Sequence, residues 1–487
     1  MNTLQIHDDF DLCYRALCSR DARFDGRFFT AVTSTGIYCR PVCPASTPHV
    51  QNVRFYSCAA AAEAAGFRAC RRCHPESSPG SADWNIRADL AARALRLIAD
   101  GIVDSEGVSG LASRLAVSER HLHRELVTEV GIGPLALARS RRAQTARLLI
   151  DQTNLSLTTI AFAAGFASVR QFNDTMQEVF ACAPSELRRH AQPASNGEGK
   201  LSLRLQYRPP FAADALLAYL GKRAIPGVEE VTAGCYRRTV AFARSRGIVE
   251  VEPMVAGNAV RIHVQLNDLS DLNFLVQRCR RLFDLDADPA AIANVLSVDP
   301  LLAPLVDACP GLRVPGAVNG FEFAVRAIIG QQISVAGART LVGRLVTALG
   351  EPLAVPDGSL THTFPAPEVI AEANMDGLGI TQRRITALQA LAQSVVRQEL
   401  LLDASADREE TATRLQALPG VGPWTAAYIA MRALSDPDAF PASDLGLRRA
   451  FEHYGLAADM KNIMLRAEAW RPWRAYATQY LWAGLTT

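Results

Sequence analysis

The apolar positions change period along the chain. Between about Ile86 and His190 they recur every three to four residues, which predicts an almost wholly helical segment. Leu122, Leu126 and Val130 fall on one face of a helix over Glu119–Val130. Phe172, Met176 and Val179 do the same in a helix that starts after Ser168. Ser118 and Ser168 suit the N-cap positions, where a hydroxyl can accept from a free backbone N–H. A short helix precedes each, over Gly110–Leu115 and Thr158–Ala164, with turns at Ala116-Val117 and at Gly165. Two runs alternate with period two instead, Leu201-Ser-Leu-Arg-Leu-Gln206 and Val260-Arg-Ile-His-Val-Gln-Leu266, and predict strands. From Asn267 onward helical spacing dominates to the end.

The helical segment contains a repeat. Ser118, Arg120, Leu122 and Pro134 recur fifty positions later as Ser168, Arg170, Phe172 and Pro184, whereas Leu111-Ala112 matches Ile160-Ala161 with an offset one residue shorter. A duplicated helix pair in which one turn is longer by a residue explains both offsets. Two polar stretches, Glu76–Asp83 and Ala191–Lys200, have linker composition. They leave a Cys-rich head, a helical middle and a long C-terminal half, and the passage from mixed to helical spacing divides that half again, which gives four expected domains, 1–78, 85–190, 200–285 and 286–487. The expected fold is multidomain and mainly α, with small α/β and α+β parts.

Length and composition agree with this division. At roughly 100–200 residues per domain, 487 residues make two to four domains. With 49% hydrophobic and 21% charged residues the chain is globular, and no apolar run is long enough to cross a membrane. The N-terminal MNTLQIHDDFDLC is too acidic for a secretory signal, so a cytoplasmic protein is expected. The first 200 residues carry a net charge of +3 and the rest −1, so neither half is polybasic and any nucleic-acid binding must come from local patches. The basic residues are 48 Arg and three Lys, a bias that runs through every segment and reads as base composition of the gene.

Cysteine usage is uneven. Seven of eleven lie in the first 73 residues, and four form the pairs Cys39-x3-Cys43 and Cys70-x2-Cys73. Two close pairs separated by a longer loop suit one tetrahedral thiolate site for Zn2+, most simply a structural one. His49 and His74 are alternative ligands, but four sulfurs already complete the shell. The strings TGIYCRPVCP, NVRFY and AAGFRACRRCHPE resemble the N-terminal domain of the bacterial Ada adaptive-response regulators over about residues 8–77. That resemblance implies that Cys39 is both zinc ligand and nucleophile, taking a methyl group from a DNA methylphosphotriester and thereby raising DNA affinity. Family members commonly carry Arg three residues beyond the second cysteine. Here Pro44-Ala45-Ser46 follows Cys43, which leaves Arg40, Arg68, Arg71 and Arg72 as basic candidates.

The repeat resembles the AraC-type double helix-turn-helix domain, with AAGFASVRQFNDTMQEVFACAPSELR close to that family's second motif. On this reading Arg120, His121 and Arg124 of the first unit and Arg170, Gln171 and Asn173 of the second face DNA. A generic helical bundle with solvated polar residues is the rival explanation.

In the C-terminal half, Leu418-Pro-Gly-Val-Gly-Pro-Trp-Thr-Ala426 has the form of a helix-hairpin-helix turn. Gly420 and Gly422 would let backbone N–H groups approach a phosphate. Phe440-Pro-Ala-Ser-Asp444 follows. Together with YRPPFAADALLAYLGKRAIPGVEEV, RLFDLDADP, GFEFAVRAIIGQQISV and WRPWRAYATQYLW, these segments resemble the AlkA-type 3-methyladenine DNA glycosylases over about residues 200–487. The resemblance implies excision of alkylated purines with Asp444 as catalytic carboxylate, Trp424, Tyr428 and Trp482 as base-pocket residues, and Gln332 at the position of the wedge that fills the gap left by a flipped base. For any one of the three aromatics an ordinary core role is equally open. Trp424 stands where lyase-competent relatives carry Lys, which implies a monofunctional glycosylase. No Cys follows Cys309, so no iron–sulfur cluster is expected.

The leading expectation is therefore a fusion of an alkylation-sensing regulator with a repair glycosylase. Its partners would be double-stranded DNA, both alkylated and promoter DNA, with RNA polymerase implied by activation and no membrane. The alternatives are a transcription regulator with an inactive glycosylase-like half, and a repair enzyme whose front half only recruits it to DNA.

Overall fold

A computed structural model describes residues 6–80, 89–191, 200–254, 257–403 and 406–485. The two polar stretches thus lie partly outside the described residues. The chain divides into two compact units. One comprises Met1–Pro209, Ala243–Ser245 and Met254–Gln277, and the other Pro210–Phe242, Arg246–Pro253 and Arg278–Thr487. No helix among the described residues is long and apolar enough to cross a membrane.

The first unit opens with a four-stranded sheet in the order β3-β1-β2-β4, formed by β1 (Phe29–Val32), β2 (Ile37–Cys39), β3 (Val53–Tyr56) and β4 (Arg68–Ala69). β1 pairs antiparallel with β2 and β3, whereas β4 runs parallel to β2 with Tyr38 opposite Ala69. A parallel neighbour requires a crossover. It is supplied by β3 and the Ala59–Ala64 helix. That helix sends Glu63 to accept a hydrogen bond from the buried Tyr38 hydroxyl at 2.7 Å.

Among the described residues the predicted helical segment is helical, from the Leu90–Asp100 helix to the Pro184–His190 helix. Ser118 Oγ accepts from His121 N and Ser168 Oγ from Gln171 N, each at 3.2 Å, so both N-caps are as expected. Leu122, Leu126, Phe172 and Met176 are fully buried, and a 19-residue helix, Pro134–Gln152, links the two repeats. The one-residue offset has a local cause. Each preceding helix ends on a left-handed residue, Ala116 (φ +55°) and Gly165 (φ +91°), with the same closing hydrogen bonds. Only Val117 separates Ala116 from its N-cap serine, whereas Phe166 and Ala167 separate Gly165 from its own. Gly165 is also sterically required, because a Cβ there would lie 2.7 Å from Asp104 Oδ2. Asp104 in turn accepts from Arg142 and pairs with Arg141 of the linking helix. Later in this unit β5 (Leu201–Gln206) pairs antiparallel with the Ala259–Leu266 strand, with Leu201, Leu203 and Leu205 buried, as the alternation predicts.

The second unit holds an antiparallel meander of β6 (Glu229–Thr232), β7 (Cys235–Ala241) and β8 (Arg246–Pro253). Consecutive burial of Thr239 and Val240 breaks the alternation of β7, which hid this strand from a period-two search. The remainder is mainly helical. Its centre is the Gly320–Ile329 helix, buried on nearly every side. A short antiparallel pair, Pro352–Asp357 with Leu360–His362, interrupts the helices expected throughout this region. Two prolines exclude a helix there. Gly358 takes φ +62° to make the turn.

Gly165→Ala should lower stability by about 2 kcal/mol in denaturant unfolding, because both φ and the Asp104 contact oppose a Cβ. Ala116→Gly should raise it by about 0.5 kcal/mol, since its left-handed alanine has no such contact to lose.

Candidate functional site

The parallel pairing of β2 and β4 brings the two cysteine pairs together. Cys39 ends β2, Cys70 follows β4, and Cys70 N donates to Tyr38 O at 3.0 Å. The four sulfurs lie within 4.8 Å of one another and none is in a disulfide. Backbone N–H groups of Arg40 and Arg72 point at Cys73 Sγ and Cys70 Sγ, both at 3.4 Å. Four convergent sulfurs with amide donors behind them fit a tetrahedral zinc site. Cys43, Cys70 and Cys73 are buried and Cys39 is partly exposed as a residue, while all four ligand positions are buried.

The neighbouring basic candidates separate. Arg40 is bound to Asp25 and to Cys73 O, so its guanidinium braces the site. Arg68, Arg71 and Arg72 are exposed. Arg20, which sequence reasoning missed, holds the loop after Cys43 through Pro44 O and Ala45 O at 3.3 and 3.2 Å. His49 is exposed, and His74 turns to Glu76 (2.8 Å) and Asp151 (3.6 Å), so neither histidine joins the sulfurs. The His74–Glu76–Asp151 group has metal-ligand chemistry of its own. Arg147, 2.9 Å from Asp151 and 3.7 Å from Glu76, already supplies the cation there.

The outward faces of both capped helices carry the expected polar residues. Arg120, Arg124, Arg170, Gln171 and Asn173 are exposed, and His121 is half-buried. Arg124 and His121 meet at 2.8 Å. Gln171 Oε1 accepts from Ala167 N at 3.1 Å, so this side chain also closes its own turn.

In the second unit, Leu418–Gly422 joins the helices Arg408–Ala417 and Pro423–Ala433. Gly420 has φ +76°, and a Cβ on Gly422 would meet nothing within 4 Å, which leaves open the approach to the start of the second helix. Asp444 lies at the N-cap of the Leu445–His453 helix. Its carboxylate accepts from Leu447 N at 3.0 Å, from Trp424 Nε1 at 2.9 Å and from Trp482 Nε1 at 2.8 Å. Trp424 stacks on Tyr428 (5.3 Å, 23°), and Trp482 meets Tyr428 edge-on (6.0 Å, 76°). These four side chains line a cavity of about 460 Å³, large enough for a purine.

Several supporting residues escaped the sequence analysis. A Cβ on Gly446 would lie 2.8 Å from Asp444 Oδ1 and 2.9 Å from the Trp482 ring, so glycine is what admits the indole. The signal was present in Asp444-Leu-Gly but unreadable without knowing that Trp482 folds onto it. Gln331 Nε2 donates to Gly420 O (3.0 Å) and Thr425 Oγ1 (2.9 Å), tying the hairpin to the following residue, Gln332. Gln332 is exposed with φ +56°, a conformation costly for any side chain but glycine. Arg384 holds the loop by donating to Gln331 O.

Two outcomes follow from this geometry. Purified protein should contain one zinc ion per chain by elemental analysis, and Cys70→Ser should lose it. Gly446→Ala should push Trp482 off Asp444, seen as changed tryptophan emission and a stability loss of about 1–3 kcal/mol.

Comparison with known proteins agrees with each part. Residues 12–76 match the metal binding domain of Ada, 111–190 a helix-turn-helix domain, 202–319 the AlkA N-terminal domain, and 325–475 the HhH-GPD superfamily of base excision DNA repair proteins. The second half is 34% identical to DNA-3-methyladenine glycosylase 2 of Escherichia coli, over 57% of this chain and 95% of that one. It shares its fold with a 3-methyladenine DNA glycosylase from Archaeoglobus fulgidus at a TM-score of 0.51 and 23% identity, covering 57% of this chain and 96% of the other. The whole chain is 51% identical to the probable bifunctional transcriptional activator/DNA repair enzyme AlkA of Mycobacterium tuberculosis, over 99% of this chain and 97% of that protein. With a zinc-type cysteine centre, a double helix-turn-helix and a glycosylase fold in one chain, this protein belongs to the family of bifunctional transcriptional activator/DNA repair enzymes that join an Ada-type regulator to an AlkA-type glycosylase.

Proposed function

We propose that the chain senses alkylated DNA with its first part and excises alkylated purines with its last, working as domains 1–78, 85–190, 200–285 and 286–487. The observation that carries the excision is the Asp444 carboxylate fixed between two indole N–H groups inside a purine-sized aromatic cavity.

N-alkylated purines are cationic, so their glycosidic bond is already weakened and needs no strong acid. The base leaves the duplex and enters the cavity, where Trp424, Tyr428 and Trp482 attract its positive charge through their π faces. As the C1′–N bond breaks, positive charge develops on the sugar. Asp444 stabilises that charge while water adds at C1′ and gives up a proton to solvent, and the base, neutral once it takes the bonding electrons, departs. Three donors hold the carboxylate, so its position costs little reorganisation. Gln332 fills the gap in the duplex, as a polar and weaker wedge than an apolar side chain. Gly420 and Gly422 receive a backbone phosphate. The place of a lyase lysine is taken by Trp424, which favours a monofunctional glycosylase.

In the first part Cys39 accepts the methyl group. Bound zinc would be held by Cys39, Cys43, Cys70 and Cys73, and would keep their sulfurs as thiolates at neutral pH. The Cys39 sulfur attacks the methyl carbon of an uncharged methylphosphotriester. A C–S bond forms, the C–O bond breaks, and an ordinary phosphodiester leaves. The reaction is suicidal, because the thioether has no route back. It removes one formal negative charge beside the DNA, which raises affinity. The sensor then strengthens promoter binding through Arg120, His121, Arg124, Arg170, Gln171 and Asn173. Activation implies contact with RNA polymerase, and the site of action is the cytoplasm.

Release of 3-methyladenine from methylated duplex DNA should be clear with wild type and fall at least about 100-fold in Asp444→Asn. No release by wild type would overturn the enzyme reading. Cys39→Ala should leave excision intact and abolish the gain in promoter affinity that follows incubation with methylated DNA. Equal gains in both proteins would overturn the switch.

A further inference from the structure

Beneath the aromatic cavity lies a charge that the excision chemistry does not use. Arg432 is only 3% exposed. Its guanidinium carbon lies 4.8 Å from the Tyr219 ring centroid, 5.2 Å from Phe323 and 5.9 Å from Tyr428. A fixed cation on these rings competes for the same π electrons that a cationic base needs, and it also repels that base. Asp444 supplies one negative charge on the lining, and a second one beside Arg432 would offset this buried cation locally.

Tyr219 can supply it. Its oxygen takes a hydrogen bond from Arg432 and lies 3.3 Å from the Tyr428 hydroxyl. The Arg223 guanidinium lies 3.7 Å above its ring. Burial pushes the Tyr219 phenol up, but the Arg432 and Arg223 guanidiniums outweigh it and bring the group down to about 8. Burial and the neighbouring Tyr219 push Tyr428 up to about 12, so Tyr428 remains the donor. Of the other charged groups lining the cavity, two carboxylates and two guanidiniums pair with one another. Glu229 and Glu322 each pair with both Arg238 and Arg326. Arg339 donates to Ala224 O, and Asp444 accepts from both indoles, with Arg449 also on the lining. Arg432 finds its oxygen partners in Tyr219 and Pro315 O, and of these only Tyr219 can become an anion.

We propose that Tyr219 determines substrate specificity by neutralising Arg432, so that its hydroxyl sets the preference of the cavity for cationic over neutral purines. This rests on the reading of the cavity as a base-excision pocket. The sign follows from chemistry. Above the phenol's transition the Tyr219–Arg432 pair is neutral and a cationic base is favoured. Below it the pair is cationic and the advantage shrinks. A neutral base feels little of either state.

The experiment compares release of 3-methyladenine, a cationic lesion in DNA, with release of 1,N6-ethenoadenine, which stays neutral, from about pH 7 to about pH 9. In wild type the ratio of the two rates should rise with a midpoint near pH 8. Tyr219→Phe keeps the ring but not the hydroxyl. It should give a flat ratio about tenfold lower at the alkaline end. The same ratio and the same pH profile in both proteins would overturn the proposal alone. No release of either base by wild type would overturn the excision reading and the proposal with it. An ultraviolet titration of tyrosinate provides a check independent of turnover. Wild type should ionise one more phenol near pH 8 than Tyr219→Phe, and identical titrations would also overturn the proposal.

Discussion

Two indole N–H groups donating to one carboxylate organise the second unit. Trp424 comes from the hairpin's second helix, Trp482 from the last helix of the chain, and Asp444 from the loop between. One side chain thus ties three segments together and in doing so erects the walls of the cavity around itself. Three donors hold the carboxylate, which fixes its direction as well as its place. Gly446 is the steric condition for this arrangement, because any side chain there would occupy the space of the Trp482 ring. The hairpin glycines, the Gln331 bridge and Arg384 extend the same rigid frame to the surface where DNA would lie.

The metal centre rests on a comparable constraint at the level of backbone topology. Cys39 and Cys70 belong to adjacent strands that run parallel, so the chain must cross over before the second pair can return. The crossover helix reports back to the centre, since its Glu63 binds the hydroxyl of Tyr38, the residue before Cys39. Burial raises the Glu63 carboxyl, with the Tyr38, Ser140 and Gln144 hydrogen bonds working against that rise. Ser140 and Gln144 sit on the Pro134–Gln152 helix that links the two DNA-reading repeats. A polar contact thus runs from the residue before Cys39 to the helix between the two repeats in the same unit.

On the proposal made for Tyr219, the buried contact between a phenol and a guanidinium would serve selection more than stability. Burying Arg432 costs several kcal/mol of hydration unless its partners restore it. A hydrocarbon in its place would have packed under the rings at less cost. On that proposal, the cation makes the electrostatics of the cavity depend on the protonation of the Tyr219 phenol.

Much of this protein was legible in its sequence, for reasons that are local. Cysteine spacing, serine caps and a Leu-Pro-Gly-Val-Gly turn depend on a few consecutive residues whose backbone geometry is nearly independent of context. So do the periodicities that placed Leu122, Leu126, Phe172 and Met176 in the core. Asp444, Trp424, Tyr428 and Trp482 were reached through resemblance to a family, and folding brought them to one cavity. What stayed hidden depended on residues distant in sequence. The one-residue offset of the repeat became intelligible only when Ala116 and Gly165 were seen in the same left-handed conformation. In the sequence Arg40 is one of four basic candidates, but Asp25 binds it, and Gly446 is unmarked there although Trp482 lies on it. Tyr219 and Arg432 are 213 positions apart, and no periodicity couples such a pair. Local chemistry thus determined the elements and the kinds of site. Tertiary packing alone decided which side chain neutralises, orients or admits which other, because those relations are set by distance in space.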